Sequence, residues 1–384
     1  ATKLGIISFT LNCITPWTLR ALSGLPMIKY VPFLKLKQNE IQSVGVLDGG
    51  IRDQIAPMYD IPRTQKVMDE DEVIDRLRIA DKELGNALEN GINYKFFVDN
   101  FDVDDSVDLG TVPQYRAVLA TLSNYQVMPV LAFDRHPDHN VAALDFVKSR
   151  PGTDVGIRLQ VIDIESYNLT KSNLQALWAD LVVAKPQTVI LLIDLRIIDD
   201  AADSKRKVER FVASFQGDFP GAKVVVSGSV VPASIAGLLP TNSKAHIPRE
   251  EYKLWRAMNS TPAFKEVLFG DYGVVSPEYS DFEMEPEFIS SRAAPKVFYT
   301  YSDSFFIARG RRFKTHKFRQ YFDISDVIVN EPFFRLSTPH YSYGEQYIHD
   351  RSYKAPARSK KTGNPGTWIK SSTAAHITFV VNNI

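Results

Sequence analysis

Short apolar segments alternate with segments of helical periodicity along residues 28–269, and this alternation limits the possible folds more than any other feature of the chain. Eight segments rich in Val, Ile and Phe are nearly continuously apolar, as expected for strands that are buried on both faces. The predicted strands are 29–34, 55–59, 94–98, 128–133, 155–161, 188–193, 223–226 and 266–269. Strands that alternate with helices in this way form parallel sheets.

The segments between these strands have the spacing of amphipathic helices. In residues 69–90 apolar side chains recur every three or four positions, Asp69 is a suitable N-cap, and Gly91 is a suitable helix end. Further helices are predicted from Pro113 onward and at 140–149, 172–184, 205–216, 233–239 and 249–258. Eight strands with intervening helices predict an α/β fold, a (β/α)8 TIM-type barrel. A doubly wound open sheet is the alternative.

The composition argues against several classes of protein. The 384 residues have a formal net charge of +0, which argues against a general nucleic-acid binder but leaves a local basic face open. Cys13 is the single cysteine, so the sequence provides neither an internal disulfide nor a cysteine-rich zinc site. Scarce cysteine favours a reducing compartment, and we expect a cytoplasmic location. No apolar run approaches the roughly 18 residues of a membrane span, so no membrane partner is expected.

The chain divides into three regions by composition. Residues 1–26 are interpreted as an extension of the natural chain, as a genuine N-terminal arm or strand, or as a targeting segment. Residues 27–275 hold the predicted barrel. Residues 276–384 form a C-terminal extension that is rich in aromatic and basic residues and is expected to pack on the barrel. In this extension we predict a strand and turn at 297–307, a long irregular loop at 341–368, and a closing helix or strand at 374–381.

Almost every predicted strand ends in ionisable residues. The functional site of a TIM-type barrel lies at the C-terminal ends of its strands, and buried charges are costly unless they are paired. We therefore predict catalytic roles for these strand-end groups and an anion-binding role for Arg196. The predicted catalytic residues are Lys35, Lys37, Asp99, Glu165 and Asp194. The alternative is that these polar strand ends are solvated loops.

Lys35 and Lys37 alternate with Leu36 and are predicted to point to the same side of an extended segment. Together they would clamp an anionic ligand, or one would act as an amine nucleophile. The alternative is an ion pair with neighbouring acids such as Asp60 or Asp99.

Two serines lie where barrels often bind phosphate. Ser227 and Ser229 flank Gly228 after the seventh predicted strand, and backbone N–H groups at such a turn attract anions. We predict that both serines bind ligand. The alternative is an ordinary helix-capping turn.

The segment 134–139 resembles a metal site in its residue types. It contains Asp134, His136, Asp138 and His139, and such side chains can ligate a divalent ion. The spacing matches no motif with defined mechanics, so a surface loop is favoured and no metal ligand is assigned. The cofactor stays unknown, with a divalent metal ion left open. The sequence has no P-loop, no G-x-S-x-G elbow and no Rossmann fingerprint.

The strongest concentration of positive charge lies in residues 309–319, where cations are interleaved with aromatic residues. Arg309, Arg311 and Arg312 are predicted to bind a ligand, because such patterns grip nucleic-acid backbones and stack on bases. The alternative is that these arginines form internal ion pairs with the acids of the barrel.

Several segments resemble a known family. The segment 30–37 followed by Glu40 resembles the opening of the Beta protein family of T-even phages and bacteria, and 55–62 resembles its second strand. The C-terminal signature of this family is similar to residues 269–273 and 299–313, and the segments occur in the same order along the chain. Leu36 and the Gln38-Asn39 pair depart from its pattern. The resemblance implies a barrel-like fold and a setting near phage and defence genes. It implies no particular reaction.

Two functional hypotheses follow. The first is a barrel enzyme or receptor for a phosphorylated ligand, such as a nucleotide or a nucleic-acid end, in phage–host conflict. The second is a non-enzymatic interaction protein of phage or anti-phage defence that binds a phage or defence protein through its C-terminal basic and aromatic surface. The sensitive residues would lie in the barrel mouth in the first hypothesis and on the extension in the second.

Overall fold

Eight parallel strands close into a barrel in the computed structural model, which describes residues 28–63, 68–279 and 293–384. The strands are β1 (Tyr30–Lys35), β2 (Met58–Asp60), β3 (Phe96–Asp99), β4 (Val127–Leu131), β5 (Val155–Gln160), β6 (Val189–Ile197), β7 (Lys223–Ser229) and β9 (Leu268–Asp271). Because β1 pairs with both β2 and β9, the sheet has no open edge. The predicted (β/α)8 barrel is confirmed, and the open-sheet alternative is wrong.

Helices connect the barrel strands. They are α1 (Gln38–Gly45), α2 (Gly49–Arg52), α3 (Glu70–Glu89), α4 (Gln114–Thr121), α5 (Pro137–Ser149), α6 (Val161–Ile164), α7 (Tyr167–Ala184), α8 (Ala201–Asp218) and α9 (Glu250–Asn259). Helix α3 begins with a capping box, in which Asp69 accepts from the backbone of Glu72 and Glu72 accepts from the backbone of Asp69. Gly91, at φ 73°, follows its end as predicted.

The lower half of the barrel interior is filled by apolar side chains. They come from alternate positions of the strands: Val31, Phe33, Met58, Phe97, Met128, Val130, Leu192 and Val225. Gly156 on β5 faces this interior, since a Cβ there would lie 3.0 Å from Leu192 Cδ1 and 3.2 Å from Phe97 Cδ1. Strand alternation then places Arg158, two residues further along β5, inside the barrel as well, one layer nearer the mouth.

A second, antiparallel sheet of three strands lies outside the barrel. It consists of β8 (Ser243–Pro248), β10 (Lys296–Tyr301) and β11 (Ser304–Arg309), in the order β10-β11-β8. The hairpin of β10 and β11 agrees with the strand and turn predicted at 297–307. β8 was not predicted, because its sequence is polar, half-exposed and ends in proline. The boundary at residue 275 stays a prediction, although β8 before it pairs with β11 after it.

The described part of the C-terminal region also contains the helices α10 (Phe313–His316), α11 (Gln320–Val329), α12 (Tyr343–His349) and α13 (Pro365–Val381). The open choice between helix and strand at 374–381 is settled as helix. The prediction of an irregular loop over 341–368 is wrong where α12 forms and where α13 begins at Pro365. The predicted helix at 233–239 is only a 3-10 turn, Ile235–Gly237, because Pro232 and Pro240 bound it.

Helix α13 joins the extension to the barrel. Ala374, Ile377 and Val380 belong to the main core of the barrel, whereas Trp368 belongs to the core of the extension. The predicted N-terminal segment, 1–26, lies outside the described residues. No helix of the described part of the chain is long and apolar enough to cross a membrane.

Candidate functional site

Three carboxylates lie together at the C-terminal mouth of the barrel. Asp60 ends β2, Asp99 ends β3 and Asp194 lies in β6, and all three are buried. They meet because the ends of parallel strands form one rim, where Asp60 and Asp99 lie opposite each other in the register. Three carboxylates buried so close together require positive partners.

Arg158 is the central partner of these carboxylates. Its Nη1 lies 2.5 Å from Asp60 Oδ1 and 2.9 Å from Asp99 Oδ2, and its Nη2 lies 2.6 Å from Asp194 Oδ2. Tyr272, which follows β9, donates its hydroxyl to Asp194 at 2.7 Å. One fully buried guanidinium thus links the ends of three strands.

Phe101 and Arg135 extend the cluster towards the rim. Arg135, in the loop after β4, places Nη2 2.8 Å from Asp99 Oδ2. The Phe101 ring centroid lies within 4.8 Å of three guanidinium carbons, those of Arg135, Arg158 and Arg196. Such contacts are attractive because the ring face is electron-rich. Three guanidinium groups are therefore gathered around one aromatic ring.

Lys35 forms an ion pair at the same rim. Its Nζ lies 2.6 Å from Asp102 Oδ2 and 4.7 Å from the centroid of the Tyr279 ring. Tyr279 donates its hydroxyl to Asp102 at 3.1 Å. The ion-pair interpretation of Lys35 is thus observed, with Asp102 as partner instead of Asp60 or Asp99.

The buried cations lower the pKa of two mouth carboxylates, Asp99 and Asp194, whereas burial outweighs Arg158 and Lys35 at Asp60 and raises its pKa. Burial alone would raise the pKa of Asp99, but Arg135 and Arg158 hold the pKa of that carboxyl well below its usual range. Burial likewise opposes ionisation of Asp194, yet Arg158 and Arg196 lower the pKa of its carboxyl. Both acids are therefore ionised at neutral pH, which suits electrostatic positioning better than proton transfer.

Glu40 on α1 differs from these acids. Burial raises the pKa of Glu40 to about 7, although its Oε2 accepts a hydrogen bond from the backbone N–H of Lys35 at 2.5 Å. Nearby lysines lower its pKa by less than burial raises it. Among the described acids near the mouth, Glu40 thus has a pKa close to that of an efficient general acid or base at neutral pH.

Arg196 lies at an irregular point of β6. The β6–β7 register shifts between Asp194 and Ile197, and Arg196 has a φ of 53°, which is unusual for a residue with a side chain. Its Nη2 donates to the carbonyl of Pro277 at 2.7 Å, but its buried Nη1 has no hydrogen-bond partner among the described residues. Ser227 Oγ, opposite Asp194 in the register, also lacks one in the described part of the chain. Both atoms retain the capacity to donate a hydrogen bond.

A comparison with models of protein families identifies the family of the chain. The model of the Beta protein family matches residues 30–382. The chain belongs to the Beta protein family. No curated protein matches the chain.

The structure of this Beta protein family member brings together five of the predicted site residues at the barrel mouth: Lys35, Asp99, Asp194, Arg196 and Ser227. Lys37 follows the end of β1 and is exposed at the start of α1, although the charges of Lys35 and Asp102 act on it, so its role stays a prediction. Glu165 lies apart. It is exposed after α6, and its Oε1 is 2.5 Å from Lys207 Nζ on α8.

The two predicted phosphate-binding serines have different environments. Ser227 lies in the buried mouth, next to Asp194 in the register. The hydroxyl of Ser229 accepts a hydrogen bond from the backbone of Val231 at 3.0 Å, as in the turn interpretation. Of the two, Ser227 is better placed to bind a ligand.

Residues 134–139 of this family member do not form a metal centre. His139 is buried, its Nε2 contacts the carbonyl of Val130 at 2.8 Å, and its ring stacks on Tyr115. Burial lowers the pKa of His139 to about 4. His136 caps α5, and Asp138 is paired with Arg116. The surface-loop interpretation agrees with residues 134–136 but not with 137–139, which begin α5 and include the buried His139.

The basic segment of the extension is exposed. Arg311 and Arg312 project from the turn after β11, and Lys314 and Arg319 follow on the same surface. Within the described residues, no ion pair involves these four side chains, so internal pairing with barrel acids is not found for them. Arg309 instead donates to the carbonyl of Leu239. A cavity of about 490 Å³ opens beside the segment, lined by Lys244, Arg309, Arg311, His316 and Asp323 among others.

A second buried charge network joins the barrel to the extension. Asp271, at the end of β9, accepts hydrogen bonds from Tyr30 at 2.5 Å and Arg249 at 2.8 Å. His376 on α13 lies 3.1 Å from both Asp271 oxygens, and its Nδ1 is 2.7 Å from the Thr300 hydroxyl of β10. All these side chains are buried, so this joint is structural.

Sequence reasoning missed Arg158, Phe101, Tyr272 and Tyr279. The sequence did contain a signal for Arg158, because a charged residue stands between the apolar residues Ile157 and Leu159 in a strand that is predicted to be buried. Tyr279 gave no signal, because it comes from outside the barrel strands.

Proposed function

We propose that the barrel mouth binds a phosphorylated ligand, such as a nucleotide or a nucleic-acid end, as an enzyme or as a receptor. The observation that carries the proposal is that two buried donors next to Asp194 in the chain or the register, Nη1 of Arg196 and the hydroxyl of Ser227, have no hydrogen-bond partner among the described residues. Buried donors without partners are rare and point to a missing ligand. Phosphate oxygens accept strong hydrogen bonds from arginine and hydroxyl groups.

The surrounding charges support an anionic ligand. Arg135, Arg158 and Lys35 flank Arg196 around the Phe101 ring and the Asp102 carboxylate. Arg196 Nη1 forms an ion pair with Asp102 Oδ1 at 3.6 Å, which is too long for a hydrogen bond, so its N–H groups remain able to donate to a phosphate. The Arg196 side chain as a whole retains 21% exposure, although Nη1 itself is buried.

In the enzymatic form of the proposal, Glu40 transfers protons and the mouth aspartates position the cations. Glu40 suits this role because its pKa lies near 7. Asp99 and Asp194 are not proposed as metal ligands, because each is already bonded to arginine. The setting in phage–host conflict rests on the family, and the cytoplasmic location rests on the scarcity of cysteine.

Calorimetric titration tests this proposal. Wild-type protein is titrated with inorganic phosphate, nucleoside mono-, di- and triphosphates, and a 5′-phosphorylated oligonucleotide, each beside its unphosphorylated counterpart. We expect saturable binding of a phosphorylated compound only, and binding at least about tenfold weaker in Arg196→Gln, because a charge-assisted hydrogen bond is lost. Arg210→Gln, on the outer helix α8, is the control. Equal binding by Arg196→Gln and wild type, or no phosphorylated compound bound, contradicts the proposal.

A second candidate function is recognition of a polyanionic partner by the exposed segment 311–319. It is favoured by the exposed cations of this segment, which have no ion-pair partners in the described chain, and by the exposed ring of Phe318. Binding is tested by the electrophoretic mobility of nucleic acid in the presence of the wild type, of Arg311→Glu/Arg312→Glu, and of the control Arg78→Glu/Lys82→Glu on α3. Binding that falls steeply with salt and is lost only in the first variant supports this function. Binding that both variants keep contradicts it.

A further inference from the structure

Two histidine rings and a carboxylate lie close together at the C-terminal end of α12. They belong neither to the barrel mouth nor to the basic segment 311–319. His340 precedes the helix, His349 is its last residue and Asp350 follows it. A potential donor atom of each lies within 4.8 Å of the other two. The two ring centroids are 5.1 Å apart, and His349 Nδ1 is 3.9 Å from Asp350 Oδ1.

Both imidazoles hold a buried nitrogen that has no hydrogen-bond partner within the described ranges of the chain. Nδ1 of His340 and Nδ1 of His349 are shielded from solvent and make no hydrogen bond there. His349 is only 9% exposed, so water does not readily satisfy its ring. A buried polar atom without a partner costs free energy, and native proteins seldom leave two side by side. The pair therefore indicates a missing ligand.

We propose that His340, His349 and Asp350 bind a zinc ion. Neutral imidazole nitrogens and a carboxylate oxygen form a usual donor set for zinc, and three protein ligands leave the fourth tetrahedral position to water. Zinc–ligand bonds of about 2.0–2.2 Å would draw the three donors closer together. The Asp350 side chain is 45% exposed, which gives an ion a route of entry from solvent.

The ion would fasten the loop before α12 to the helix. At the other end of this loop, Arg335 Nη2 already lies 2.6 Å from Glu345 Oε1 on α12. A zinc ion at His340 and His349 would add a second attachment one turn further along the helix. Zinc is therefore expected to stabilise the folded extension, since a ligand that binds only the folded state raises the unfolding temperature.

Metal analysis and calorimetric titration with zinc chloride test this inference on the complete chain after removal of metal. We expect one zinc ion per chain, a higher unfolding temperature with zinc, and binding weakened roughly tenfold or more in His340→Ala and in Asp350→Asn. His316→Ala, which removes an exposed histidine of the same region, should bind zinc like the wild type.

His349→Ala should abolish binding, but its buried ring also contributes to packing. If that variant does not fold, the half-buried positions 340 and 350 still decide the matter. Absence of stoichiometric zinc binding by the wild type, or unchanged zinc affinity in both His340→Ala and Asp350→Asn, overturns the inference. Neither result bears on the barrel mouth, whose ligand is tested separately.

Discussion

Arg158 Nη2 lies 2.6 Å from Asp194 Oδ2, and neither side chain is exposed to solvent. A buried ion pair of this kind adds little to stability compared with well-packed apolar residues, because both charges must be desolvated. A barrel that needed only a filled core would not require it. The buried charges at the mouth are consistent with our proposal that this site binds a ligand.

The first prediction concerns the removal of Arg158. In Arg158→Leu the carboxylates of Asp60, Asp99 and Asp194 lose their shared partner, and we expect the free energy of unfolding to fall by about 3–5 kcal/mol. Urea denaturation measures this change. Arg78→Leu, which breaks an exposed pair with Asp75, should cost no more than about 1 kcal/mol. Equal effects of the two substitutions would show that the mouth network is not a buried, coupled unit.

The second prediction concerns Glu40 and neutral pH. Burial raises the pKa of Glu40 in the folded protein to about 7, whereas in the unfolded chain it is ordinary. The folded state therefore holds the extra proton between pH ~4.3 and pH ~7, and wild-type stability falls as pH rises through this window. Glu40→Gln has no carboxyl to titrate, so its stability does not fall in this way. Between pH 4.5 and pH 7.5, the free energy of unfolding of Glu40→Gln should therefore rise relative to that of the wild type by up to about 3 kcal/mol.

Urea denaturation across this pH range tests the Glu40 prediction. Glu89→Gln, at the exposed end of α3, is the control and should keep a constant difference from the wild type. A constant difference for Glu40→Gln as well would show that Glu40 ionises normally in the folded protein, and would remove it as the acid–base candidate.

The third prediction concerns the joint between barrel and extension at acidic pH. Burial alone would raise the pKa of Asp271, but its contacts with His376, Arg249 and Tyr30 hold it well below the usual range. A carboxyl whose pKa is lowered by folding stabilises the folded state above pH ~3.9, which is its pKa in the unfolded chain. This stabilisation is lost as the pH falls below that value. Between pH 6 and pH 3, wild-type stability should fall more steeply than that of Asp271→Asn. The exposed substitution Asp108→Asn should leave the wild-type slope unchanged, and a parallel slope for Asp271→Asn would contradict the prediction.

The fourth prediction concerns Gly344 on α12. A Cβ at this position would collide with the backbone carbonyl of Ser371 and with Ala375 on α13. Gly344→Ala should therefore lower the free energy of unfolding by about 1–3 kcal/mol. Gly217→Ala, in the open last turn of α8, should instead stabilise by up to about 1 kcal/mol. Thermal unfolding of the two variants distinguishes them, and shifts in the same direction would contradict the close packing of α12 on α13.

Much of the barrel could be predicted because each strand is identified by local sequence. The apolar segments that contain Val155 and Val224 are sufficient on their own to predict buried parallel strands. β8 could not be predicted, because its strand character depends on hydrogen bonds to β11, more than fifty residues later. Lys35 and Lys37 differ in burial because alternation holds only within a strand, and β1 ends at Lys35.

The composition of the candidate site was harder to predict than its position. The barrel topology places Asp99 and Asp194 at the mouth, and both were found from the strand ends. Which cation pairs with which acid depends on the three-dimensional rim, so the pairing of Lys35 with Asp102 could not be derived. Tyr279, which bonds to the same carboxylate, comes from beyond the last barrel strand, where no periodic pattern marks it.

The most direct test of the account is native mass spectrometry of the complete protein with the phosphorylated compound that binds best in titration. The wild type, Arg196→Gln at the mouth and Arg311→Glu/Arg312→Glu on the extension are compared at equal concentration. We predict a one-to-one complex with the wild type and with the extension variant, and its loss in Arg196→Gln. A complex that survives in Arg196→Gln but disappears in the extension variant would contradict the account and place the site on the basic segment.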